Sequence, residues 1–164
     1  MDMCTRLPVW LGNLLLYIRQ QLCGEGRSSQ TNENPEMAVD KSMNVLVVDD
    51  YKTMVRIVRG LLEQLGFKNI DDAMDGTTAL QKIQQNDYGL ILSDWNMTPM
   101  TGYDLLKAVR ADPRTKATPF VMITAEAKTE NVVAARQAGV NNYIIKPFTL
   151  SVLKQKLTTV LGEL

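Results

Sequence analysis

From Asn44 onward, the spacing of apolar residues changes period at regular intervals. Asn44–Val48 is a short apolar run closed by Asp49-Asp50, the pattern of a strand buried on both faces. The period then widens. Met54, Val58, Leu61 and Leu65 fall on one face of a helix predicted over Thr53–Leu65, and Val55 and Leu62 broaden that face. Gly66 ends it as a C′ glycine. Ile70–Met74 reads as a second, less apolar strand. Asp75-Gly76 turns the chain, and Thr77 is expected to cap a helix carrying Ala79, Leu80 and Ile83. Tyr88–Ser93 is a third strand that ends at Asp94. Gly102–Ala111 is a helix stopped before Pro113. Phe120–Thr124 is a fourth strand, Thr129–Ala138 a helix closed by Gly139, and Asn142–Ile145 a fifth strand. After Lys146-Pro147, Thr149 caps a last helix with Leu150, Leu153, Leu157 and Val160 facing inward.

Five strands alternating with five helices predict an α/β domain with a parallel sheet, doubly wound and covered on both faces. Ligands of such sheets sit beyond the carboxyl ends of the strands, where strand order reverses.

The first 38 residues follow another pattern. Leu7–Ile18 is mostly apolar and closed by Arg19, too short for a bilayer span, which takes about 20 residues. The start carries no net positive charge and no small-residue cleavage pattern follows, so a secretory signal fits poorly. Leu22 precedes Cys23, which disfavours a lipoprotein site. A short amphipathic helix or an unstructured leader is expected, with a weak anchor as the sharper alternative. Gly24–Pro35 is polar and reads as a linker. Met37, just ahead of the strand–helix pattern, is a candidate start position. The expected division is therefore residues 1–38 as extension and 39–164 as domain.

Composition narrows the chemistry. The chain has 164 residues, which suits one domain plus an extension. Lys plus Arg and Asp plus Glu are 18 each, so charge gives no reason to expect nucleic acid or a membrane surface as a partner. With no histidine in the chain, a histidine base, ligand or phosphohistidine must come from another protein. Cys4 and Cys23 both precede the domain, so neither disulfides nor a structural zinc hold it, and a cytoplasmic location is expected.

The predicted strand ends gather the reactive side chains. Strand one delivers Asp49 and Asp50, strand three Asp94, strand four Thr124 and strand five Lys146. Each alone reads as a turn, a cap or a strand-end residue; their joint placement at four strand ends does not. If strands one and three are neighbours, three carboxylates converge and a counter-ion is needed. All-oxygen ligation suits Mg²⁺ or Mn²⁺. With one lysine and one hydroxyl added, the set matches phosphoryl transfer to a carboxylate nucleophile.

The segments Val47-Val48-Asp49-Asp50, Ser93-Asp94-Trp95-Asn96-Met97, Thr124-Ala125-Glu126-Ala127-Lys128 and Tyr143-Ile144-Ile145-Lys146-Pro147-Phe148 closely resemble bacterial two-component response-regulator receiver domains, nearest to the chemotaxis branch. The resemblance covers about residues 39–164. It implies the flavodoxin-like strand order 2-1-3-4-5, for which receiver domains are a standing example. It implies Asp94 as phosphoacceptor, and Mg²⁺ on Asp50, Asp94 and the Asn96 backbone carbonyl, with Asp49 acting mainly through water. Thr124 and Lys146 would bind the phosphoryl oxygens, and Tyr143 would be the aromatic switch. Lys128, Tyr143, Lys154 and Lys156 would lie on the partner surface, and Lys146-Pro147 would be cis. The loop Met97-Thr98-Pro99-Met100-Thr101-Gly102 departs from the common Met-Pro-x-Met-Asp-Gly, its proline displaced by one and threonine standing for aspartate.

The resemblance further implies a sensor histidine kinase as phosphoryl donor and self-catalysed transfer and hydrolysis rather than turnover of outside substrates. No DNA-binding or enzymatic segment follows the last helix, so output is expected through protein contact, with the flagellar motor switch first and a phosphorelay or kinase-modulating role second. An aspartate-nucleophile phosphatase of the haloacid dehalogenase type wants an acid two residues after the nucleophile, where Asn96 stands. A nucleotide hydrolase lacks its phosphate loop. A degenerate receiver would be expected to lose one of Asp49, Asp50, Asp94, Thr124 and Lys146, and none is lost.

Overall fold

Val45 and Val47 pack into one apolar cluster and Leu46 and Val48 into another, so consecutive residues of a single strand feed two cores. That is the period-two geometry of a strand covered on both faces. In the computed structural model, which describes residues 39–164, this strand is β1 (Asn44–Val48). It is followed by α1 (Lys52–Gln64), β2 (Asn69–Ala73), α2 (Gly76–Gln85), β3 (Leu90–Ser93), α3 (Gly102–Ala111), β4 (Phe120–Thr124), α4 (Thr129–Gln137), β5 (Asn142–Ile145) and α5 (Leu150–Leu161). The apolar run, the linker and the candidate start expected within residues 1–38 lie outside the described residues.

All strand pairs are parallel, in the order β2-β1-β3-β4-β5. One core joins Val45, Leu92 and Ile123 to Val58 and Leu62 of α1 and Leu153 and Leu157 of α5. The opposite core joins Leu46, Ile91 and Met122 to Ala79 and Ile83 of α2 and Leu105 and Val109 of α3. The expected doubly wound α/β sheet is therefore present, in the strand order that the resemblance implies.

Three local details differ from the sequence expectation. The cap of α2 is Asp75, not Thr77: its carboxylate accepts from the Thr78 amide at 2.8 Å and from the Thr78 hydroxyl at 2.7 Å, so the helix starts earlier, at Gly76. Tyr88 precedes β3 rather than belonging to it, and its hydroxyl donates to Asp71 at 2.7 Å. Thr98-Pro99 is cis alongside the expected cis Lys146-Pro147.

Arg110 near the end of α3 ties the opposite pole of the sheet. Its guanidinium donates to the carbonyls of Gly139, Lys116 and Thr118 at 2.9, 3.1 and 2.9 Å and to the Asn141 side chain at 2.8 Å. The helix α4 beside it buries only Ala135, and its N-cap residue, Lys128, makes no side-chain cap.

Candidate functional site

Strand register decides which side chains meet. Val48 and Ser93 are paired across β1 and β3, so the residues that follow them, Asp49 and Asp94, leave the sheet side by side. The Asp94 amide donates to the Val48 carbonyl at 2.8 Å and the Asp49 amide to the Ala73 carbonyl at 3.2 Å, which continues the ladder up to both carboxylates. Thr124 and Ile145 are paired across β4 and β5, and the Lys146 amide donates to the Thr124 carbonyl at 2.9 Å.

Lys146 then crosses the carboxyl ends of β4 and β3. Its ammonium lies 2.6 Å from Asp49 Oδ2 and 2.9 Å from Asp94 Oδ1. Asp49 is 3% exposed and Asp94 7%, so two carboxylates sit almost out of water with one cation between them. Their remaining oxygens are also held: Asp49 Oδ1 accepts from the Tyr51 amide at 2.9 Å, and Asp94 Oδ2 from the Asn96 amide at 2.7 Å. Burial raises the Asp49 carboxyl above its ordinary value even against the bonds from Lys146 and Tyr51. Burial pulls the Lys146 ammonium down, and its bonds to Asp49 and Asp94 reverse this and hold it above the usual lysine value.

Thr124 is fully buried; its hydroxyl oxygen accepts from the Glu126 amide at 3.1 Å, which leaves the hydroxyl proton to donate. Tyr143 is half-buried on β5, and its phenol donates to the Glu126 carbonyl at 2.8 Å. Burial, followed by the nearby Glu126 and Asp94 charges, keeps that phenol protonated beyond its ordinary range. Thr124 and Tyr143 thus hold the same residue, Glu126, from its two backbone groups. Glu126 was not among the sequence-expected site residues; its role is backbone geometry, which side-chain type does not announce.

The donor set is all oxygen: the carboxylates of Asp49, Asp50 and Asp94 and the carbonyl of Asn96. That chemistry fits a hard divalent cation and no thiophilic one. Asp50 and Asn96 are exposed, so a cation bound to them keeps access to water. Among the described residues, no three acidic side chains approach closely enough to hold an ion unaided. The convergence expected from sequence is therefore partial: Asp49 and Asp94 are drawn onto Lys146 while Asp50 faces solvent.

Gly102, the expected start of a helix, also stands against the backbone of the site. A Cβ built there would stand 1.8 Å from the carbonyl oxygen of Asp94, so the close approach of α3 to the site excludes every side chain. The loop that departs from the family pattern still caps α3: Thr101 Oγ1 accepts from the Asp104 amide at 3.1 Å and donates to Asp104 Oδ2 at 2.6 Å.

Of the expected partner-surface residues, Tyr143 and Lys156 line one concavity of about 230 Å³ with Val132, Arg136, Val140 and Ile145, whereas Lys128 and Lys154 are exposed outside its lining. Another concavity, of about 270 Å³, includes Asn44 and Asn69 at the amino ends of β1 and β2, the pole of the sheet opposite to the carboxylates. No helix among the described residues is long and apolar enough to cross a membrane.

Residues 45–158 match the response regulator receiver domain family. The chain is 50% identical over 129 residues to chemotaxis protein CheY-3 of Vibrio cholerae serotype O1, covering 79% of this chain and 99% of that one. It is 53% identical over 115 residues to chemotaxis protein CheY of Pseudomonas aeruginosa, covering 70% and 93%. Among solved structures it superposes on CheY4 of Vibrio cholerae with a TM-score of 0.68 at 35% identity, covering 73% of this chain and 99% of that one. It also superposes, at 0.68 and 26% identity over 74% and 99%, on the receiver domain of a sensor histidine kinase from Pseudomonas aeruginosa that has a magnesium ion coordinated in its active-site cleft. With the fold, the strand-end residues and these relatives in agreement, the chain belongs to the response regulator receiver domain family and carries the receiver domain of a CheY-like response regulator.

Proposed function

We propose that residues 39–164 form a phosphorylation switch in which Asp94 accepts a phosphoryl group from the phosphohistidine of a sensor kinase, and that residues 1–38 are an extension to it. The observation that carries this reading is the Lys146 ammonium, 2.6 Å from Asp49 and 2.9 Å from the proposed nucleophile. Lys146 and the Asn96 amide each donate to one oxygen of the Asp94 carboxylate and so fix its orientation. The histidine comes from the partner, since this chain has none.

In the transfer, an oxygen of Asp94 forms a bond to phosphorus as the phosphorus–nitrogen bond of the donor breaks, and the electron pair leaves with the imidazole nitrogen. Asp50, Asp94 and the Asn96 carbonyl would hold Mg²⁺, or Mn²⁺ in its place, with Asp49 acting through water; the cation supplies charge neutralisation for the transferring oxygens. Lys146 gives up its bond to Asp94 and pairs with a phosphoryl oxygen. Thr124 turns its hydroxyl proton to another. Water later cleaves the acyl phosphate, with Asn96 beside its path.

Output follows from the shared hold on Glu126. When the Thr124 side chain moves toward the phosphoryl group, its oxygen is drawn away from the Glu126 amide and the position of Tyr143 shifts with that loop. The surface bearing Tyr143, Lys128, Lys154 and Lys156 is read by a target protein. The CheY relatives favour the flagellar motor switch as that target, in the cytoplasm.

Purified protein treated with acetyl phosphate and Mg²⁺ is expected to gain one phosphoryl mass, and Asp94→Asn to gain none. Labelling of the variant equal to wild type would overturn the assignment of Asp94.

A further inference from the structure

Trp95 follows the proposed nucleophile directly, and its indole is stacked on Tyr103, with ring centroids 5.0 Å apart and planes 16° from parallel. Eight positions separate the two residues, so the stack closes the whole loop between β3 and α3. The backbone closes the same loop: the Gly102 amide donates to the Trp95 carbonyl at 3.0 Å. Tyr103 is itself held on α3. The Lys107 ammonium stands 4.6 Å from its ring centroid and 2.8 Å from Asp104, whose carboxylate also accepts from Thr101. Between these two closures lies Asn96, whose amide holds Asp94 Oδ2 at 2.7 Å.

We infer that Tyr103 is a positioning residue for the phosphoacceptor: by stacking on Trp95 it fixes the Asn96 backbone, and so fixes both the amide that orients Asp94 and the carbonyl offered to the cation. A helix residue that touches neither phosphate nor metal thereby sets how well the site is preorganised. A stack of this kind is worth about three- to tenfold in an equilibrium, which sets the scale of the effect of losing it. The part that concerns the cation rests on the proposed function; the part that concerns the Asn96 amide does not.

The test compares Tyr103→Ala, Tyr103→Phe and wild type in two measurements. In metal-free protein, amide hydrogen exchange at Asn96 is expected to speed up about three- to tenfold in Tyr103→Ala and to stay at the wild-type rate in Tyr103→Phe, which keeps the ring. Exchange at core amides of β1 reports global stability and separates general loosening from the local effect. Calorimetric titration with Mg²⁺ is expected to show a dissociation constant raised by a similar factor in Tyr103→Ala alone. Unchanged Asn96 exchange in Tyr103→Ala, or acceleration matched at every core amide, overturns the inference. Wild-type protein that takes up no Mg²⁺ overturns the proposed metal site instead, and the exchange result still decides the role of Tyr103.

Discussion

Lys146 reaches from the end of β5 to place its ammonium 2.6 Å from Asp49 at the end of β1, across the two strands that lie between them. In the proposed metal site the lysine would therefore compete with a divalent cation for the same carboxylates. Lys146→Met leaves Asp49 and Asp94 without a counter-charge, and a cation is then the best remaining partner. Mg²⁺ affinity is expected to rise, by roughly tenfold for a partly screened charge, while labelling by acetyl phosphate slows. Calorimetry and timed intact mass measure the two effects, and weaker Mg²⁺ binding in the variant would refute the competition.

The gap beside Asp94 is filled to contact by the backbone of Gly102. Gly102→Ala places a methyl where the Asp94 carbonyl oxygen already stands, so β3 and α3 have to separate. A cost of about 3 kcal/mol is expected, at the upper end for overpacking, together with loss of labelling. Urea denaturation reads the first. A variant as stable as wild type would show that α3 can retreat freely.

Tyr143→Phe removes the phenol that donates to Glu126 and leaves the ring. The expected loss of stability is about 1 kcal/mol, the usual net value of one hydrogen bond. Labelling of Asp94 should proceed at the wild-type rate, because the phenol touches no reacting atom. Failure of labelling in this variant would place Tyr143 in the transfer step rather than in the readout.

Tyr88 and Asp71 form a pair remote from the site, at the amino pole of the sheet. Burial, then the bond to Asp71, pushes the Tyr88 phenol well above its ordinary 10.0. A folded pKa above the unfolded one means that this stabilisation is complete below pH 10 and is lost as pH rises through and beyond that value. The bond from Tyr88 likewise holds Asp71 below its ordinary 3.8, so its share is present above that pH and lost on acidification. Tyr88→Phe is expected to be less stable than wild type at neutral pH and to converge with it at both extremes. A difference that stays constant from acid to alkaline pH would mean that the pair contributes no linked stability.

The sheet and its order of elements were legible because β1, β3 and β4 are uninterrupted apolar runs and the helices have one clear apolar face. Asp49, Asp50, Asp94, Thr124 and Lys146 were legible because strand ends in such a sheet share one edge. What escaped were relations between residues far apart in sequence or carried by backbone. Asp75 outcompetes Thr77 as a cap because both its oxygens reach Thr78. Arg110 reads as a surface charge, yet its partners are carbonyls and an amide in two distant loops. Tyr103 meets Trp95 across a loop with no periodicity to betray it. The lysine bridge between Asp49 and Asp94 depends on the reach of one side chain over two strands, which no motif encodes.

Arg110 has a mechanical consequence. Its hold on Gly139 and Asn141 fastens the carboxyl end of α4, while the amino end at Lys128 has no side-chain cap and lies two residues after Glu126, the residue that Thr124 and Tyr143 grip. With only Ala135 buried along its length, α4 is a beam built in at one end. Force applied at the Glu126 end would act at the greatest distance from the fixed support, and the response expected of such a beam is a swing of its amino end about the carboxyl end.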